Sequence, residues 1–321
     1  MNQPSVSIIV PVYNVGPYVE DCIGSVMRQT YDGKMECIVV DDCGTDDSMA
    51  IVERLVAKYS GPITFKILHH THNRGLSAAR NTGMDAATGN YLFFLDSDDE
   101  LTDDCIEKLM VVAREDDKIE IVQGNARKKP ERVPDSLIKE MLIPHPLDNK
   151  SVRSCYFRYH QLNNSAWNKL IKRSFILHHN LLFKEGIIYE DVLWTFFMLK
   201  HAVNVCFVSD ITYYYTIRSN SIMNGTDSNI SVLNYCMLYH TILTDLTPTY
   251  EIEELSYYTK EFIKQYLKNP HEYKNLFRLF WNKSWRLKCY FCCKLLSVAY
   301  ISNYKLGRGA VAILRKIKKI I

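Results

Sequence analysis

A chain of 321 residues, 47% of them apolar, can bury a large core and fits two domains, or one α/β domain with a helical extension. That composition excludes wholesale disorder, and ten cysteines without framework spacing exclude a disulfide scaffold. The net charge of +3 hides an asymmetry: residues 271–321 hold twelve Lys/Arg against one acid, Glu272, a local +11 that leaves −8 on the rest.

Strands and helices alternate along the first half. "SVSIIVPVYN" (5–14) reads as a strand with a polar end, and "VEDCIGSVMRQ" (19–29) has helical periodicity. "MECIVVDD" (35–42) is a second strand ending in acids. "TDDSMAIVERLVAKY" (45–59) follows as a helix, with Thr45 as its expected N-cap. "ITFKILHH" (63–70) and "GLSAARNTGMDAA" (75–87) repeat the pattern, then "YLFFLD" (91–96), "DDCIEKLMVVARE" (103–115) and "IEIVQG" (119–124). Continuous apolar strands between amphipathic helices predict a mainly parallel sheet covered on both faces. Residues 125–150, polar and with four prolines, read as a long loop. "NNSAWNKLIKRSFIL" (163–177) reads as one or two helices and "IIYEDVLWTFFMLKHA" (187–202) as a loop entering a helix. "VCFVSDITYYYTIR" (205–218) reads as extended, and from Ser228 onward the pattern is helical.

In such a sheet, ligands bind beyond the carboxyl ends of the strands. Three of those ends carry "PVYN", "DD" and "DSDD". Asp103 and Asp104 suit a first helical turn capped by Thr102. Asp96 and Asp98 precede that turn; two residues apart on extended backbone, they would point to one side and suit a hard divalent cation, Mg²⁺ or Mn²⁺. The plainer alternative is a solvated turn.

The stretches "VSIIVPVYN", "VVDDCGTDDS", "NRGLSAARNTGMDAATGNYLFFLDSDD" and "YEDVLW", in this order over roughly residues 4–220, resemble the family 2 glycosyltransferases of the GT-A fold. The resemblance implies a nucleoside-diphosphate sugar donor, usually a UDP-sugar, and a glycan or lipid-linked glycan acceptor in cell-surface polysaccharide synthesis. It divides the chain into a GT-A domain at 1–225, with a nucleotide part to about 124 and an acceptor part beyond it, and a basic helical extension at 226–321. Tyr13 then matches the aromatic that packs on the base, with Pro11 shaping the same turn. Asp41 or Asp42 matches the acid that meets the base; which one points inward is open. Arg80 matches a helix arginine facing the nucleotide, with Asn73, Gly75 and Gly83 shaping the backbone around it. Asp96 would touch the ribose, beside Ser97, and Asp98 the metal. Asp191 matches the general base, with Glu190 as its positioning neighbour and Trp194 packed beneath. Trp167 and Lys169 would border the acceptor or diphosphate. Family members often carry a basic residue directly after the tyrosines of "YYYTIRSNSIM"; here Thr216 stands there, and Arg218 is expected to substitute.

The tail "KLGRGAVAILRKIKKII" (305–321) sets Leu306, Ile313, Leu314 and Ile317 on one helical face and Arg308, Arg315, Lys316 and Lys319 on the other. No apolar run reaches the ~18–20 residues needed to span a bilayer, so the pattern suits helices lying on an anionic membrane surface. Packing on another domain is the competing reading; nucleic acid is not expected as a partner, because no recognisable module accompanies the charge. The cluster Cys289, Cys292 and Cys293 lacks the second pair or histidines of a zinc site. With no signal peptide before the first strand, the scattered cysteines suggest a reducing cytosol, and the tail suggests the inner face of the cell membrane. A dinucleotide-dependent dehydrogenase is excluded by the lack of G-x-G-x-x-G, and "PVYNVGPY" offers a nucleotidyltransferase phosphate loop only Gly16. A catalytically silent nucleotide-sugar-binding or membrane scaffold remains the alternative of another class.

Overall fold

The computed structural model describes residues 3–129, 145, 148–218, 234, 237–238 and 241–242. The chain divides into two compact units, Met1–Gly225 and Thr226–Ile321. In the second unit the five described residues are helical. The expectations for the basic tail and the Cys289–Cys293 cluster lie outside the described residues.

In chain order the first unit runs β1 (Val6–Val12), α1 (Gly16–Met27), β2 (Met35–Asp41), α2 (Ser48–Lys58), β3 (Thr64–His69), α3 (Leu76–Ala86), β4 (Tyr91–Phe94), β5 (Glu100–Leu101), α4 (Cys105–Ala113), β6 (Ile121–Lys129), α5 (Asn149–Phe157), β7 (Lys169–Lys172), α6 (Arg173–His178), α7 (Glu190–His201) and β8 (Val205–Thr216). One eight-stranded sheet orders them β3-β2-β1-β4-β7-β6-β8-β5. The first four pair in parallel. Beyond them the sheet is mixed: β7 runs antiparallel to β4 and β6, β6 pairs parallel with β8, and β5 antiparallel with β8.

All seven residues of β1 are buried, as a central strand covered on both faces requires. Val19, Ile23 and Val26 of α1 share a core with Ile8, Val10 and Val39 of the sheet, and the same core takes Ile106, Leu109 and Met110 of α4. On the opposite face α3 lies close to β1: a Cβ on Gly83 would collide with Ile9 Cγ2. That close approach brings Arg80, one turn earlier, against the sheet's carboxyl edge.

Several sequence expectations change. Strand β6 continues to Lys129, so residues 125–129 are not loop; pairing with β8 supplies the backbone partners that their polar composition did not suggest. A side chain at Gly124 has no room there, since its Cβ would collide with Thr212 Oγ1, and the register shifts around this point. Within 163–177, Lys169–Lys172 form β7 and only Arg173–His178 are helical, because the gap between β4 and β6 must be filled by a strand. The two-residue β5 lies inside the acidic cluster. Thr45 does not cap α2: the N-cap is Asp47, and Asp46 accepts from the Ser48 amide at 3.1 Å and the Gly16 amide at 2.8 Å, tying the starts of α1 and α2 together. Thr102 likewise yields the N-cap of α4 to Asp104, to whose carboxylate its hydroxyl donates.

Candidate active site

The carboxyl ends of β1, β2 and β4 meet at one edge, as parallel pairing dictates. Pro11 lies within β1, buried, and so does not shape the turn after it. The Ile9 carbonyl accepts from Leu95 N and the Val12 carbonyl from Asp42 N, so alternate residues face alternate neighbours. Pro11 faces the β4 side beyond the last paired residue, Phe94, where its missing N–H costs no ladder bond. Tyr13 follows, 46% exposed at the strand end. Asn14 and Cys43 beside it both adopt positive φ, 51° and 60°.

The two acids after β2 differ. Asp42 is buried, and its carboxylate is committed to the Arg74 and Gly75 amides, both at 2.8 Å, and to His70 Nδ1 at 2.7 Å. It holds the loop into α3 in place. Asp41 is half-buried, with Oδ1 on the Cys43 amide and Oδ2 2.9 Å from the exposed His69.

Arg80 departs from expectation most. Its guanidinium is buried, donating to Asp96 Oδ1 and Glu190 Oε1, each at 2.7 Å, while lying 5.2 Å from the Phe183 ring centre. Two carboxylates from distant parts of the chain outcompete an open pocket for its charge. Asn81 reinforces the junction, exchanging hydrogen bonds with the Phe183 backbone at 2.9 Å in both directions.

Residues Asp96–Asp99 form a turn, closed by the Asp99 amide on the Asp96 carbonyl at 3.0 Å, and not the extended segment that the Asp96/Asp98 spacing suggested. Ser97 is buried within it. Asp98 lies 2.7 Å from Arg218 Nε, and that guanidinium stands 6.0 Å from the Tyr18 ring centre. Burial, then the charge of Asp96, raises the Asp98 carboxyl above its ordinary range, with Arg218 opposing. Asp99, without a role in the sequence reading, is the most buried of the cluster. It accepts from Tyr213 Oη at 2.6 Å and from the Thr216 amide at 2.7 Å, fastening the end of β8 to the turn. Tyr213 in turn stacks on Trp167, ring centres 4.5 Å apart. The only sequence signal for Asp99 was its place as the third acid of a run.

A cavity of about 640 Å³ opens beside Asp98, lined by Tyr18, Arg127, Lys129, Tyr214 and others, a size that suits a nucleotide or sugar. Asp96 and Asp98 offer the hard oxygen donors that Mg²⁺ and Mn²⁺ prefer, and their crowding raises Asp98 in the way a cation would relieve. Among the described residues no three His, Cys, Asp or Glu side chains converge on a metal position. These two carboxylates therefore fit a cation that completes its shell with ligand oxygens or water.

Helix α7 supplies the remaining carboxylates. Its N-cap, Tyr189, has φ 64°, a strained conformation for a non-glycine residue that aims the first turn. Glu190 is taken by Arg80. Asp191 is pushed up to about 7 by burial and then by Glu190, against the pull of Arg80 and the Val192 amide. Trp194 lies beneath, its Nε1 on the Leu181 carbonyl at 3.1 Å and its ring stacked on Phe183.

The model of glycosyl transferase family 2 matches residues 7–179. EpsH of Bacillus subtilis is 31% identical over 265 residues, 81% of this chain and 74% of its own length. The uncharacterised glycosyltransferase YibD of Escherichia coli is 28% identical over 71% of this chain, which spans 66% of YibD. The crystal structure of Staphylococcus aureus TarS 1–349 with UDP-GlcNAc superposes with a TM-score of 0.66 at 21% identity, over 94% of this chain and 82% of that one, and so shares the GT-A fold. With more than half its length matched by the family model, this chain belongs to glycosyl transferase family 2.

Proposed function

We propose that the protein is an inverting, metal-dependent glycosyltransferase that moves a sugar from a UDP-sugar to a hydroxyl of a glycan or lipid-linked glycan in cell-surface polysaccharide synthesis. The observation that carries this reading is the Arg80 bridge. One guanidinium joins Asp96, in the turn after β4, to Glu190, the neighbour of Asp191. A donor-binding turn and a basic carboxylate thus face one another across a single side chain.

In this reading Tyr13 stacks on the base and Asp41 meets its edge, while Asp96 reaches the ribose. The solved TarS complex holds UDP-GlcNAc in the same fold, which supports a UDP-sugar here. Mg²⁺ or Mn²⁺ held by Asp98 and Asp96 would offset the negative charge that builds on the departing diphosphate. In this reading Arg218, 2.7 Å from Asp98 and two residues beyond β8, would meet the same phosphates. Asp191 takes the acceptor proton as the new bond forms; a carboxyl near 7 is suited to a base at neutral pH. One direct displacement of this kind inverts the anomeric centre. Among the described residues no helix is long and apolar enough to cross a membrane. The basic C-terminal sequence supports a place on the anionic inner surface of the membrane, where lipid-linked acceptors would be met.

Thermal unfolding with a panel of nucleotide sugars, with and without Mn²⁺, tests the donor and the metal together. Stabilisation by a UDP-sugar that needs Mn²⁺ and disappears in Asp98→Ala is expected. Stabilisation by none would replace this reading with the silent scaffold.

A further inference from the structure

Two acids of the turn after β4 each face a guanidinium, and the two pairs differ. Asp96 is held by Arg80, whose side chain is 3% exposed and tied to Glu190 as well. Asp98 lies 2.7 Å from Arg218 Nε, and there both side chains are 18% exposed. The backbone leading to Arg218 is fixed. Asp99 accepts from the Thr216 amide at 2.7 Å and from Tyr213 Oη at 2.6 Å, and the Asp96 amide donates to the same hydroxyl at 3.3 Å. The Ile217 amide donates to the Lys129 carbonyl at 2.9 Å. These contacts end one residue before Arg218, so its side chain can leave Asp98 without undoing the sheet or the turn.

We propose that Arg218 is a built-in stand-in for the cation: it neutralises Asp98 in the empty protein, holds back a divalent ion that arrives alone, and yields when the ion comes with the phosphates of the donor. The proposal rests on the reading of Asp98 as a metal ligand and goes beyond it by coupling the two binding events. A divalent ion sits about 2.1 Å from a carboxylate oxygen, and a guanidinium on the same carboxylate competes for its lone pairs and repels a second positive charge. An ion alone must evict Arg218 and leave a guanidinium without a partner in a largely enclosed place, which is unfavourable. A diphosphate changes that balance. It brings oxygens that complete the shell of the ion, and it offers a guanidinium two acceptors side by side. Tyr18, its ring centre 6.0 Å from the guanidinium, also lines the cavity beside Asp98 and gives the released side chain an aromatic face at that cavity. The ion and the nucleotide then raise one another's affinity by the same factor. An Arg218 that only fastened the end of β8 would lower stability when removed, but would not restrain the metal.

Manganese binding to the full chain, followed by the electron paramagnetic resonance of the free ion, is measured with and without UDP, subtracting the ion that UDP binds in free solution. The wild type is compared with Arg218→Met and Lys129→Met. Lys129 lines the same cavity but is paired with Glu100, so its variant removes one positive charge without touching Asp98. Arg218→Met should bind manganese alone roughly tenfold more tightly than the wild type, and Lys129→Met within about threefold of it. The factor by which UDP tightens manganese binding should fall roughly tenfold in Arg218→Met. Arg218→Gln should behave in the same way, and decides the matter if Arg218→Met does not fold. Metal-only affinity that is unchanged or weaker in the Arg218 variants overturns the exchange. Equal tightening in Lys129→Met overturns it too, because the general field of the cavity would then be the cause. Manganese affinity that survives Asp98→Ala overturns the metal reading beneath it, an outcome told apart from the others because it does not involve Arg218.

Discussion

Replacing Arg80 with Met keeps most of the buried volume and removes the charge. It orphans Asp96 and Glu190, whose side chains are 24% and 10% exposed and whose bonds to Arg80 are both 2.7 Å. Removing one partner of a buried ion pair costs about 3–5 kcal/mol, and the lost contact with the Phe183 ring adds about 0.5–1. Against this, Arg80 Nε is buried without a protein hydrogen-bond partner, so the substitution also relieves a small penalty, and water can reach Asp96. We expect a net loss of about 3 kcal/mol at pH 7, roughly 6–12 °C in Tm for a unit of this size. The loss should shrink toward pH 4, where the orphaned carboxylates can take up protons. Thermal unfolding monitored by circular dichroism at both pH values reads both effects. A variant within ~0.5 kcal/mol of wild type at pH 7, or a deficit equal at both pH values, would refute the claim that Arg80 is held by charge.

Asp191→Asn should retain donor-dependent thermal stabilisation while transfer falls by about two orders of magnitude or more. Because Asp191 is raised to about 7 when folded, against 3.8, its ionisation opposes folding as pH rises between those values. The Asn variant should therefore gain about 1–2 kcal/mol at pH 8 and nothing near pH 3, less than the ~4 of a wholly enclosed charge; a gain equal at both pH values would count against it. Glu36 accepts from Ser7, Thr88 and Lys66, and these bonds overcome burial to hold it at about 2. Its contribution is complete above about pH 4.5 and lost as pH falls through about 2, so Glu36→Gln should cost about 2 kcal/mol in urea unfolding at pH 7, roughly half of that at pH 3 and little below pH 2. Gly124→Ala would force a methyl into Thr212 Oγ1, and should cost about 1–3 kcal/mol, part of it restored by Thr212→Ala; an unaffected single variant would show that the β6–β8 register is looser than described.

The parallel half of the fold was legible because β1 to β4 and their helices carry the periodicities of buried strands and amphipathic helices, which depend on neighbours only a few residues away. The mixed half was not. Arg127, Lys128 and Lys129 look like loop until β8 pairs with them, and "NKLIKRSFIL" looks helical until β7 is seen between β4 and β6. Strand pairing at long range supplies hydrogen-bond partners that local composition does not announce.

At the site, motif order alone determined which carboxylates gather at the strand ends: Asp41, Asp42, Asp96, Asp98, Glu190 and Asp191 all stand at strand ends or helix starts. Their division of labour was decided only by the tertiary structure. Asp42 is bound by His70 and two amides, Asp99 fastens β8, and Arg80 bridges two acids. A side chain's charge is written in its chemistry, but the partner that satisfies it, and the energy of burying the pair, depend on which distant segments the fold brings within 3 Å.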